Sequence, residues 1–201
     1  MTSSPKGILH NDTQTLNGSA PDMAARLLGS ELEAEVDEQI VRLRIVETEA
    51  YDQSDVASHS HRGQTERTKI MFGPSGFLYV YFTYGMHYCC NVVVGEEGYG
   101  AAVLLRALEP LGDSPEVIAY RRRGKVGVEL TNGPAKLCQA LGIDMALNGH
   151  DLKQPPLRLI LTTPLDSLSI VNTTRVGISQ GKDVPWRFYI KNNPYVSVKA
   201  S

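Results

Sequence analysis

Val46-Glu47-Thr48-Glu49-Ala50-Tyr51 puts two carboxylates and an aromatic ring at the end of an otherwise apolar, strand-like run. Val41, Leu43 and Ile45 share the parity of Glu47, Glu49 and Tyr51, whereas Arg42 and Arg44 precede Val46, Thr48 and Ala50 on the other. Side chains two apart on a strand point the same way. The apolar face is therefore expected to run straight into Glu47 and Glu49. A carboxylate on a core-facing parity is costly unless it is paired, protonated or used, so chemistry is sought here first.

Outward from this strand, Leu32–Val36 reads as a hairpin partner joined through an Asp37-Glu38 turn. A helix is predicted from near Ser19, with Pro21 in its first turn and Gly29 as its stop. Residues 53–68 form a polar loop holding His59, His61 and Gly63, and long polar loops in compact domains are often functional. After the turn cluster at 73–76, the aromatic run Phe77 to Tyr84 predicts a strand. Gly85 breaks it, and Met86 to Val94 returns. Tyr84 then falls near a hairpin tip, where Asn, Asp or Gly is usual. Ala101 to Leu108 predicts a buried strand carrying one charge, Arg106. Helices are expected from Ser114 to about Arg123 and from Asn132 to Leu141, with short strands near 157–161, 175–178 and 187–190. Residues 1–17 lack periodicity and are expected to be flexible, which gives a flexible segment 1–18 and one mixed α+β domain over 19–201.

With 201 residues and 42% apolar content, the chain can bury one good core. It contains no apolar run long enough to span a bilayer and no signal-peptide pattern, so a soluble intracellular protein is expected. Cys89, Cys90 and Cys138 form no CxxC pair and there is no HExxH, so buried free thiols are expected rather than a zinc site. The net charge of −2 is uneven: residues 1–41 hold two basic and seven acidic side chains, the remainder 18 basic and 15 acidic. Basic clusters occur at Arg62, Arg67 and Lys69 and at Arg121, Arg122, Arg123 and Lys125. They permit a phosphate-binding surface without requiring one.

Carboxylates, an arginine and flat rings together suit a pocket that stacks a planar group and hydrolyses a bond beside it. The segments Arg44–Tyr51, His59-Ser60, Met71-Phe72-Gly73, Tyr79-Val80-Tyr81 and Tyr84-Gly85-Met86 resemble the alkyladenine (3-methyladenine) DNA glycosylase family. Cys89, Asn91, Val103–Pro110, Gly133–Leu141, Arg175-Val176-Gly177 and Pro185–Tyr189 fit as well, in order, over roughly residues 19 to 198.

The resemblance implies an antiparallel curved sheet flanked by helices, with a protruding hairpin, similar to the formyltransferase C-terminal-domain-like fold. It implies excision of alkylated or deaminated purines from double-stranded DNA by a monomer, with no cofactor and no metal. Such enzymes flip the damaged nucleotide out of the stack. By resemblance, Tyr84 is the intercalating wedge, and Arg67 and Met86 contact the DNA backbone. The flipped base would lie between Tyr51 on one side and His59 with Tyr81 on the other, above Asn91 at the pocket floor. Glu49 would be the general base, with Arg106 orienting the water or holding Glu49 and a phosphate. Glu47 lies near Glu49 on the same parity, where one of the two could serve as acid, but it is read as structural support because only the second carboxylate matches the family's catalytic position. One departure is Thr68, where the family often has Asn. Location would be the nucleoid of a bacterium or a eukaryotic nucleus. Alternatives are a non-catalytic nucleic-acid-binding module of the same fold and a hydrolase of free nucleosides, which would have no use for an exposed Tyr84.

Overall fold

The computed structural model describes residues 16–198. The expectation of flexibility for 1–17 therefore falls mostly outside the described residues. Of the remainder, Leu16 is buried in the main core, and its carbonyl accepts the N–H of Gly95.

Helix α1 (Ala20–Leu27) begins where the pattern places it: the Ser19 hydroxyl caps the Asp22 N–H, and Gly29, at φ +82°, turns the chain away. Strands β1 (Glu31–Val36) and β2 (Gln39–Asp52) form the expected hairpin, with Asp37 and Glu38 both at positive φ in the turn. Next come β3 (Leu78–Thr83), β4 (His87–Val93) and β5 (Ala101–Leu111), then the short helices α2 (Ser114–Ala119) and α3 (Pro134–Leu141). Strands β6 (Leu157–Ile160), β7 (Ile170–Thr173) and β8 (Arg187–Ile190) complete a single curved antiparallel sheet ordered β3-β4-β5-β2-β1-β6, with a β7–β8 hairpin joined to β2 through β8. One face packs Leu43, Ile45, Val103, Leu105 and Leu108 against Leu27 of α1 and Leu137 of α3. No helix among the described residues is long and apolar enough to cross a membrane.

Three expectations are corrected. The helix from Ser114 stops at Ala119, and the chain then turns through Arg123 at φ +53°. The strand expected at 175–178 is instead β7, and Arg175-Val176-Gly177 is irregular, with Gly177 at φ +78°. The third correction concerns the parity of β2. Ile45 pairs with Leu108, Glu47 with Ala107 and Thr48 with Leu105, so Val46 and Arg106 are each passed over by the ladder. This double irregularity exchanges the two faces, because one extra residue inverts a period-two alternation. Beyond it Thr48 and Ala50 face the core, and the Thr48 hydroxyl donates to the Ala24 carbonyl of α1 at 2.8 Å. Glu47, Glu49 and Tyr51 leave the apolar face and join the opposite one.

Candidate active site

That opposite face carries the polar residues in one row. Tyr79 of β3, Asn91 of β4, Leu104 of β5, Glu49 of β2 and Arg187 of β8 are successive register partners. Opposed residues share a face, so five strands aim these side chains in one direction. Beside the row stand Tyr81, paired with Cys89, and Tyr51, paired with Ala102.

Tyr51, His59, Tyr79, Tyr81, Tyr84 and Asn91 line one cavity of about 200 Å³, with Gly177 and Ile178 at its rim. Pockets for drug-sized ligands hold roughly 300–1,000 Å³, so this one suits a single flat ring system. The His59 ring meets Tyr81 edge to face at 4.6 Å between centroids, and its Nδ1 lies 3.0 Å from the Tyr79 hydroxyl. Asn91, which also lines the cavity, donates from Nδ2 to the Tyr79 carbonyl at 3.1 Å, which fixes the orientation of its amide.

Burial, aided by the nearby Arg67 charge, lowers the His59 pKa below the 6.5 of a free imidazole. The unfolded chain therefore binds the His59 proton first as pH falls. This contribution to stability is complete above the free value and is lost as pH drops toward the folded pKa. NMR titration of the His59 ring should give a midpoint below 6.5. The midpoint should move upward in Arg67→Ala, and an unmoved one would remove Arg67 as a cause.

Glu49 and Arg106 do not line the cavity but lie one hydrogen bond away. The fully buried Glu49 accepts the Tyr51 hydroxyl on Oε2 at 2.8 Å and the Val176 N–H on Oε1 at 2.8 Å. Arg106 Nη1 stands 3.2 Å from Oε2. Burial and the adjacent Glu49 charge push the Tyr51 phenol above its ordinary range, so it remains a donor. Burial alone would lower the Arg106 pKa, but Glu49 and Glu47 outweigh it and raise the value. A carboxylate with three protein partners has about one lone-pair direction left for a water.

Tyr84 sits at the tip of the β3–β4 hairpin, 81% exposed, at φ +51° and followed by Gly85 at +67°. A left-handed conformation costs a non-glycine residue about 1–2 kcal/mol, and an exposed tyrosine gains little packing to offset it. Phe82 and Met86 beside it are 48% and 69% exposed. The tip is thus exposed and strained, and Tyr84 also lines the flat cavity.

The chain belongs to the methylpurine-DNA glycosylase family. The model of that family, Methylpurine-DNA glycosylase (MPG), matches residues 14–194. A protein of Carboxydothermus hydrogenoformans named "Putative 3-methyladenine DNA glycosylase" is 52% identical over 178 residues, 88% of this chain and 93% of its own length. Proteins of the same name from Francisella tularensis subsp. tularensis (44% over 181 residues, 89% and 93%) and the archaeon Methanoculleus marisnigri (50% over 157 residues, 77% and 81%) are also similar.

Within this family member, the residues singled out in the sequence divide into two groups. Tyr51, His59, Tyr81, Tyr84 and Asn91 share the cavity, with Glu49 and Arg106 adjoining it. Arg67 is exposed, its guanidinium 5.9 Å from the Tyr81 ring. Met86 points elsewhere, into a groove of about 680 Å³ that also contains Arg121, Arg122, Arg123 and Lys125. Cys89, Cys90 and Cys138 are buried free thiols, as the spacing suggested, and burial pushes Cys89 up to about 11.

Sequence reading missed the supports. The buried Arg175 donates to both oxygens of Asp55 and to the Ala50 carbonyl, and its guanidinium lies 4.7 Å from the Tyr51 ring centroid. Arg175-Val176-Gly177 stood out only as a family-like motif. No periodicity marks Asp55 or Arg175 as buried.

Proposed function

We propose that this chain is a monofunctional DNA glycosylase that flips alkylated or deaminated purines out of duplex DNA and hydrolyses the N-glycosidic bond, the first step of base-excision repair. The observation that carries this reading is the flat-ringed cavity beside the buried Glu49–Arg106 pair, with a strained aromatic exposed at its mouth. The curved sheet and hairpin are read as a formyltransferase C-terminal-domain-like fold, acting as a monomer. The bacterial and archaeal relatives favour action at a nucleoid.

Tyr84 enters the minor groove and fills the space left by the flipped nucleotide, which offsets part of the unstacking cost. The purine stacks against Tyr51, with His59 and Tyr81 facing it. Ring faces favour electron-poor, cationic alkylpurines, and a neutral His59 avoids repelling them. The pinned Asn91 amide occupies the floor, where the 2-amino group of normal guanine would collide.

As the glycosidic bond lengthens, positive charge develops on the deoxyribose, and the Glu49 carboxylate stabilises it. Glu49 takes a proton from the attacking water, whose oxygen bonds to C1′. The bonding pair leaves with the purine: a cationic alkylpurine departs neutral, whereas hypoxanthine or ethenoadenine must also gain a proton. No lysine lines the cavity among the described residues, and hydrolysis without Schiff-base strand nicking is the expected course.

The deciding measurement is single-turnover base release from duplex oligonucleotides carrying a methylated purine, hypoxanthine or ethenoadenine. Release of none of them removes the enzymatic reading and leaves a binding module. Tyr84→Asn suits the left-handed turn yet removes the wedge. It should weaken lesion-duplex binding by about 1–3 kcal/mol, with a smaller loss on single strands. Equal loss on both would argue against intercalation. Arg123 and Lys125, exposed in the groove beyond Met86, are assigned to phosphates. Their double replacement by Ala should lower the slope of log K against log salt by about 0.9 for each phosphate no longer neutralised.

A further inference from the structure

Glu47 and the C-terminal segment next to it have no part in the mechanism above, yet they hold one of its members. The fully buried Glu47 accepts four hydrogen bonds. Its Oε1 takes Arg106 Nε–H at 3.2 Å, Arg187 Nε–H at 2.7 Å and the Ser197 hydroxyl at 2.9 Å, and its Oε2 takes the Ser197 N–H at 2.6 Å. Arg187 also donates to the Val198 carbonyl and lies over the Tyr189 ring at 5.1 Å. Ser197 and Val198 are thus tied to the strand that carries Glu49.

Arg106 is forked between the two glutamates: Nε on Glu47, Nη1 on Glu49, and Nη2 without a protein partner among the described residues. A guanidinium is planar, so anchoring Nε on one carboxylate sets the directions of both Nη groups. The β2–β5 irregularity serves the same arrangement, since Val46 and Arg106 are the residues the ladder passes over.

We propose that Glu47, latched by Ser197, is a positioning residue for base excision: it aims Arg106 so that Nη1 reaches Glu49 and Nη2 stays open to the water or the neighbouring phosphate. This rests on the roles given to Glu49 and Arg106 above. Glu47 touches neither the base cavity nor the reacting atoms and acts through Arg106 alone.

Glu47→Gln tests it. The amide oxygen can still accept from both arginines, but its NH2 group meets the Ser197 N–H, donor against donor, and the latch opens. The single-turnover rate should fall by about tenfold to a hundredfold, as for a misplaced catalytic group. Lesion-duplex Kd should stay within about twofold, since ground-state contacts are untouched. In an Arg106→Ala background, the same substitution should lower the rate no further. Additive losses, or a wild-type rate in Glu47→Gln, overturn the proposal. Should Glu47→Gln fail to fold, Ser197→Ala removes one of the four bonds and keeps every charge. It should still slow release several-fold at unchanged Kd, and a wild-type rate would overturn the latch. Absence of release by the wild-type protein, measured alongside, would instead overturn the glycosylase reading and the latch with it.

Discussion

Glu49→Gln is expected to reduce single-turnover base release by about 10²–10⁴-fold, the range for loss of a positioned general base. The variant keeps the shape of the side chain but cannot satisfy the site. Wild-type Glu49 accepts on both oxygens, from the Val176 N–H on one and from the Tyr51 hydroxyl on the other, which also faces the Arg106 Nη1 charge at 3.2 Å. An amide must present NH2 to one of these donor sets. The Tyr51 hydroxyl can rotate to accept, whereas Arg106 and the Val176 N–H have no acceptor to offer. Loss of the negative charge also removes the stabilisation of the oxocarbenium-like transition state. The stacking rings are untouched, so equilibrium binding to a lesion duplex should be largely preserved. Release and binding are measured on the same oligonucleotide. A Glu49→Gln rate within about threefold of wild type would place the base elsewhere.

Much of this site was legible as residues and much less as geometry. Alternation and turn signals placed β1 through β4, β6 and β8 within about two residues, because half-buried strands write a period of two into the chain, whereas β5 runs on past the expected Leu108 to Leu111. Glu47 and Glu49 nevertheless stand out in the sequence through a parity that the structure reverses. The two carboxylates are not core-facing. The bulge at Val46 turns them away from Ile45 and Leu43, onto the face that holds Tyr79, Tyr81 and Asn91. A bulge has no compositional signature here, since Val46 looks like any strand valine. The candidate set still converged, because two glutamates in an apolar strand are unusual on either face. What stayed out of reach was the long-range pairing. Glu47 with Ser197, Val176 with Glu49 and Asp55 with Arg175 each join residues more than a hundred positions apart. Such pairs leave no local pattern, and the segment around Arg175, expected as a strand, is irregular in the structure.

The pairing of Asp55 with Arg175 leads to the second large effect. Both side chains are almost wholly buried, and Arg175 donates to each carboxylate oxygen, to the Ala50 carbonyl and to the Gly181 carbonyl. Removing one partner strands the other charge in a low-dielectric setting, so Asp55→Ala and Arg175→Ala should each cost about 3–5 kcal/mol in urea unfolding. A double variant, Asp55→Ala with Arg175→Met, should recover a large part of that loss, because no orphaned charge remains and the methionine fills part of the space. Function should not recover with it. The Arg175 guanidinium lies over the Tyr51 and Trp186 rings, at 4.7 Å and 5.5 Å from their centroids, and Val176, the next residue, donates its N–H to Glu49. Without the guanidinium, the Tyr51 wall and the Glu49 acceptor geometry loosen together, so the refolded double variant should bind lesion duplex more weakly and release base more slowly. Recovery of stability with wild-type binding and release would reduce Arg175 to a core ion pair. Recovery of stability alone would make it the brace that joins the loop around Asp55, the stacking wall and the Glu49 carboxylate.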